Sequence, residues 1–81
     1  MIRAELVKQL EEAERRVAEG EGRIRNQQWL IDELASSGQD ASQAKTILRG
    51  FLSSQLTHIT VRNHIRADLE AFDKNNSEDY G

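Results

Sequence analysis

The sequence predicts an all-α fold: a long antiparallel two-helix hairpin, coiled-coil-like in its spacing, that dimerises into a four-helix bundle. Two runs of small and apolar residues at alternating spacings of three and four carry this reading, with one short Gly- and Asp-containing break between them. Size adds a third observation. A chain of 81 residues with no Cys cannot build a large private core or staple a small one with disulfides, so a partner chain is the remaining source of burial.

The first run is Leu6, Leu10, Ala13, Val17, Gly20, Ile24, Gln27, Ile31 and Leu34. Its average spacing of about 3.5 marks one helix face, with Leu10, Val17, Ile24 and Ile31 at a and Ala13, Gly20, Gln27 and Leu34 at d. The predicted helix covers about residues 2–36. Gly22 sits where a helix former would be preferred, so the middle of this helix is locally weak.

The connection at residues 37–40 has chemistry suited to a turn. Gly38 can take the left-handed conformation that ends a helix, and Asp40 can accept the free amides that begin the next. Gln43, three residues on, completes a capping-box pattern. So short a link folds the chain back on itself; one continuous helix through Gly38 is the alternative.

The second run is Ala41, Ala44, Leu48, Phe51, Gln55, His58, Arg62, Ile65, Leu69 and Phe72, predicting a helix over about residues 41–73. Residues 1–73 thus form the hairpin, a rod of roughly 50 Å at about 1.5 Å per residue. Residues 74–81 are polar and aperiodic and are expected to be a flexible tail. Folding about Gly38 sets Leu34 near Ala44, Ile31 near Leu48, Ile24 near Phe51 and Gln55, and Leu10 near Ile65 and Leu69.

This seam does not use all the apolar residues. Leu30, Ile47, Leu52, Leu56, Ile59 and Val61 fall outside it, as does Trp29 at f, opposite the seam. They form the expected self-association surface, because a contiguous apolar patch is unusual on a soluble monomer. The competing readings fold them back on their own partner helix and leave Trp29 as a surface residue.

Gln55, His58 and Arg62 occupy consecutive core positions facing Gly20, Val17 and Ala13, and Gln27 adds a polar position on the first helix. Glu14 and Glu21 flank the seam and could reach Arg62 and His58. A polar core layer of this kind fixes helix register, since slippage would strand buried polar groups. The same residues could form a ligand or anion site. Catalysis is not expected, for no nucleophile or phosphate-cradling loop accompanies them. Metal binding is not expected either, because His58 and His64 are six apart and do not share a helix face. No cofactor is implied.

The net charge of −3 argues against coating a phosphate backbone. Arg15, Arg16, Arg23 and Arg25 make a ridge, but Glu11, Glu12, Glu14, Glu19 and Glu21 interleave with them as on a solvated bundle face. No apolar run approaches the roughly 20 residues of a membrane span, and no signal-peptide pattern opens the chain, so a cytoplasmic protein is expected.

Gly20-Glu21, Ile24, Gln27, Ile31, Glu33-Leu34, Gly38 and Asp40, followed by Ala44, Leu48, Phe51, Gln55, His58 and Arg62, resemble short uncharacterised bacterial proteins predicted to be helical hairpins. The likeness spans residues 20–69, and its most specific part is the Gln-His-Arg layer combined with the Gly-x-Asp turn. It implies a bacterial cytoplasmic origin and no established activity. The expected function is non-catalytic: a homodimeric bundle that acts in protein–protein interaction, assembly or regulation, with itself and another protein as partners. A small RNA- or DNA-binding regulator is the alternative.

Overall fold

A computed structural model describes residues 2–79 as two helices, α1 (Ile2–Ser36) and α2 (Ser42–Asp79), folded antiparallel into a rod of 66 × 16 × 14 Å. Helix-forming Leu, Glu, Arg, Ala and Gln dominate α1, and no Pro interrupts either helix. In α2, Thr46 and Thr60 turn their hydroxyls back onto the carbonyls of Ser42 and Leu56, so these β-branched residues satisfy their polar groups within the helix. No helix is long and apolar enough to cross a membrane among the described residues.

The turn closes as a Schellman motif. Gly38 has φ of +72°, its N–H donates to the carbonyl of Ala35 at 3.1 Å, and the Gln39 N–H donates to that of Leu34 at 2.9 Å. Asp40 then opens α2 through one oxygen: its Oδ1 accepts from the Ser42 amide at 2.9 Å and from the Ser42 hydroxyl at 2.6 Å. The Ala41 carbonyl takes the first helical bond, from Lys45, so Asp40 acts one position ahead of the cap it was expected to occupy. The side chain that bonds Asp40 is Ser42 rather than Gln43, and its hydroxyl donates to the carboxylate instead of accepting from the Asp40 amide as in a capping box.

The far end differs from the sequence expectation. Helix α2 continues six residues past Asp73, so residues 74–79 extend the helix rather than form a tail, and residues 80–81 lie outside the described residues. The stretch 74–79 has neither Gly nor Pro to stop propagation, and aperiodic polarity alone removes packing without removing the backbone ladder. Arg3 of α1 donates to Asp73 at 2.8 Å and ties the two helices at this end. The longer α2 also makes the rod longer than the roughly 50 Å expected.

Packing between the helices is close and involves small residues. Ala13, Val17, Gly20, Ala41, Ala44 and Gln55 are buried, whereas the larger seam residues Leu10, Ile24, Ile31, Leu34, Leu48, Phe51, Ile65, Leu69 and Phe72 are only half covered. No large side chain is fully buried among the described residues.

Candidate functional site

The centre of the seam is a polar pin. Gln55 is 7% exposed, and its Nε2 crosses to α1 to donate to the Val17 carbonyl at 2.9 Å. That carbonyl has a second lone pair available beside its helical bond, so the contact costs α1 nothing. The Gln55 oxygen Oε1 has no hydrogen-bond partner and is directed at Gly20, where a Cβ would overlap it and would stand 2.7 Å from Cδ. Glycine therefore makes the notch that admits the carboxamide. The Gly20 hydrogen in the Cβ position gives Oε1 a weak C–H contact in place of a true donor.

A second cross-helix bond lies nearer the turn, where half-buried Gln27 donates to the Ala44 carbonyl at 3.0 Å. These two glutamines bond backbone rather than each other, one from each helix. His58 is half-buried and lines a cleft of about 130 Å³ with Gly20, Arg23, Phe51, Ser54 and Gln55.

Arg62, expected to cross toward Glu14, does not take part. Its Nε and Nη2 donate to Asn63 Oδ1 at 3.2 and 3.1 Å. Arg66 reaches Glu14 instead, at 3.4 Å. Arg66 stands at e, the flank facing Glu14, whereas Arg62 at a starts under the seam and must leave it to find solvent. The layer that forms is thus Gln27 and Gln55 with His58 beside them, without Arg62 bridging.

Outside the seam, six of the seven residues of the expected association surface are exposed: Trp29 at 64%, Leu56 at 68%, and Leu30, Ile47, Leu52 and Val61 between 39% and 45%. Ile59, the seventh, is half-buried. Ile2, which the periodicity did not single out, is also exposed. They do not form one patch: with α2 in the heptad set by its seam, Leu52, Leu56 and Ile59 follow one flank, and Ile47 and Val61 the other. Leu30 lies at g of α1 and so shares the flank of Ile47, since g faces g between antiparallel helices.

Arg15 and Arg16 pair with Glu12 and Glu19 along α1. Arg16 donates to Glu12 at 2.9 Å, and Arg15 lies 3.8 Å from Glu19. Two carboxylates are held below their usual range: Asp40 by the hydrogen bonds from Ser42, and Asp73 by that from Arg3, whose own guanidinium is pushed up by the same bond. Among the described residues no group of three or more His, Cys, Asp or Glu side chains could hold a metal ion.

Compared with protein families, with curated proteins and with solved structures, the chain matches none, so the resemblance read from the sequence carries no family assignment.

Proposed function

We propose that the protein is a non-catalytic interaction protein that works as a homodimeric helical bundle and offers helical surface to another protein in assembly or regulation. The observation that carries this reading is the exposed area. The chain exposes 6219 Å², whereas a compact monomer of 9.2 kDa would expose roughly 4,900 Å². The excess of roughly 1,300 Å² per chain is of the size that each partner contributes to an obligate homodimer interface. The apolar surface open to it is Leu52 and Leu56 on one flank, Ile47 and Val61 on the other, and Trp29 opposite the seam.

The polar seam supports the same reading. Gln55 and Gln27 are committed to backbone carbonyls across the hairpin, which suits a register device better than a reactive centre. RNA or DNA binding has less support, because Arg15 and Arg16 already face Glu12 and Glu19. The cytoplasmic setting expected from the sequence belongs to the same proposal.

Sedimentation equilibrium at micromolar concentration tests it. The expected mass is twice the 9.2 kDa of the chain, and a monomer would overturn the reading. A flat low-salt titration with RNA and DNA is the second expectation; salt-dependent binding would favour the regulator instead.

A further inference from the structure

We infer that the second copy docks on the flank carrying Leu52, Leu56 and Ile59, related by a two-fold axis along the rod, so that each α2 lies on the partner's α1 with both turns at the same end. This rests on the dimer proposed above and assigns it a face and a geometry.

The face follows from where α2 lacks charge. Residues 50–61 contain no Asp, Glu, Lys or Arg, and Arg49 and Arg62 bound this girdle. Within it Leu52, Leu56 and Ile59 follow one another at i, i+4 and i+7, which makes a continuous ridge. Leu52 is 45% and Leu56 68% exposed, so the ridge is available outside the hairpin seam.

The axis follows from charge. On this flank α2 carries Lys45, Arg49 and Arg66 around the ridge, with Glu70 and the Arg3-paired Asp73 beyond it at the open end, while α1 carries Glu11, Glu14, Glu21 and Asp32 against the single base Arg25. The cross-helix bonds Gln27–Ala44, Val17–Gln55 and Glu14–Arg66 place Lys45 level with the stretch 26–35 of α1, which includes Asp32, and Ile59 level with the stretch 12–21, which includes Ala18. An axis along the rod preserves these levels. It brings the partner's basic α2 onto acidic α1, with small Ala18 across from Ile59 and the charges as a rim around the ridge. Glu21 and Arg25, four residues apart on α1, can pair with each other at that rim while their stems cover Leu56 of the second copy. A perpendicular axis through the girdle would instead set α2 against α2, with Lys45 facing Arg66 and Arg49 facing Arg62. Like charges would then meet at both ends of the ridge, which disfavours that pairing.

Two measurements test the placement. Leu56→Glu should raise the dimer dissociation constant by about thirtyfold or more, as for a central anchor; Ile47→Glu, on the other flank, should leave the dimer in place. Because the chain has no Cys, Gln39→Cys takes a single nitroxide label at the turn. With helices about 8–10 Å apart in the bundle, the two labels should lie within about 25 Å of each other. A perpendicular axis through the girdle would hold them about 50 Å apart, at about 1.5 Å per residue. A distance near 50 Å, or a dimer that survives Leu56→Glu and dissociates with Ile47→Glu, overturns this placement and leaves the dimer standing. A monomer for the unaltered chain overturns both.

Discussion

Replacing Gly20 and Gly22 separately by Ala makes the same chemical change two residues apart on one helix, and the structure assigns the two changes opposite signs. Gly→Ala in a helix interior gains about 1 kcal/mol from backbone entropy. At Gly22 a Cβ meets only Arg25 Nη2, at 3.9 Å, so Gly22→Ala should realise that gain. At Gly20 the new methyl would stand 2.7 Å from Gln55 Cδ and closer still to Oε1. The carboxamide must leave, and its bond to the Val17 carbonyl goes with it. Losing that bond costs about 1 kcal/mol, and the displaced, incompletely solvated amide costs about 1 kcal/mol more. The cleft beside His58 and Ser54 gives the side chain somewhere to move, which keeps the penalty from growing larger. Gly20→Ala should therefore be net destabilising by about 1 kcal/mol, some 2 kcal/mol below Gly22→Ala. For a domain of this size the gap corresponds to roughly 8–16 °C in Tm. Thermal unfolding followed by circular dichroism measures it, with every variant at one protein concentration because association shifts Tm. Equal stabilisation by both substitutions would sink the notch, since Gln55 would then not be seated against Gly20.

The turn and the open end make further predictions. Gly38→Ala places an L side chain at φ of +72° and should cost about 1–2 kcal/mol in urea unfolding, although nothing lies within 4 Å of the site; no loss would mean that the turn can relax out of the left-handed conformation. Asp40 and Asp73 both have carboxyl pKa values below their ordinary range in the folded chain. Their contribution is therefore fully present above the unfolded value of about 3.9 and is lost as pH falls through the lower folded values. Tm should drop on acidification below about pH 4, and the Asp40→Asn and Asp73→Asn double variant should show a shallower drop; an unchanged profile would mean that other carboxylates control it. Arg3→Ala should loosen the end of the hairpin without touching its centre, giving faster amide exchange at the start of α1 but unchanged protection around Val17. Uniform loss of protection would show that the Arg3–Asp73 pair supports the whole rod.

How much of this could be read from residue order depends on range. The turn was legible because Gly38 and Asp40 act on amides and carbonyls within five residues of themselves, and local chemistry leaves local signals. The end of α1 was legible for the same reason. The end of α2 was not: polarity without period marks residues that pack on nothing, yet helix hydrogen bonds need no packing to continue to Asp79. At the candidate site, the spacing that set Gln55 opposite Gly20 pointed to their close approach, whereas the bond from Gln55 to the Val17 carbonyl was hidden. The choice between Arg62 and Arg66 as partner of Glu14 did not follow from spacing alone, because both lie within reach of α1 and only their side-chain directions separate them. That Gln27 bonds the Ala44 carbonyl was also hidden, since a backbone acceptor has no signature in the sequence.

The polar pin and the exposed ridge are two consequences of one choice of seam residues. Ala13, Gly20, Ala41 and Ala44 let the helices approach closely, and Gln55 can reach the Val17 carbonyl only because nothing larger than hydrogen stands at Gly20. Close approach leaves little volume between two helices, so Leu48, Phe51 and Ile65 are half covered and Leu52 and Leu56 lie outside altogether. Filling the seam with larger aliphatic side chains would increase burial within one chain but would remove the notch that distinguishes the correct register from a slipped one. The hairpin thus lacks apolar burial in proportion to its polar bonding, and the proposed association of two copies would supply the missing stability. If the proposed dimer forms, folding and dimerisation are a single equilibrium and Tm should rise with protein concentration. A Tm independent of concentration over a hundredfold range would mean that the small-residue seam and its two glutamine bonds suffice for one chain alone.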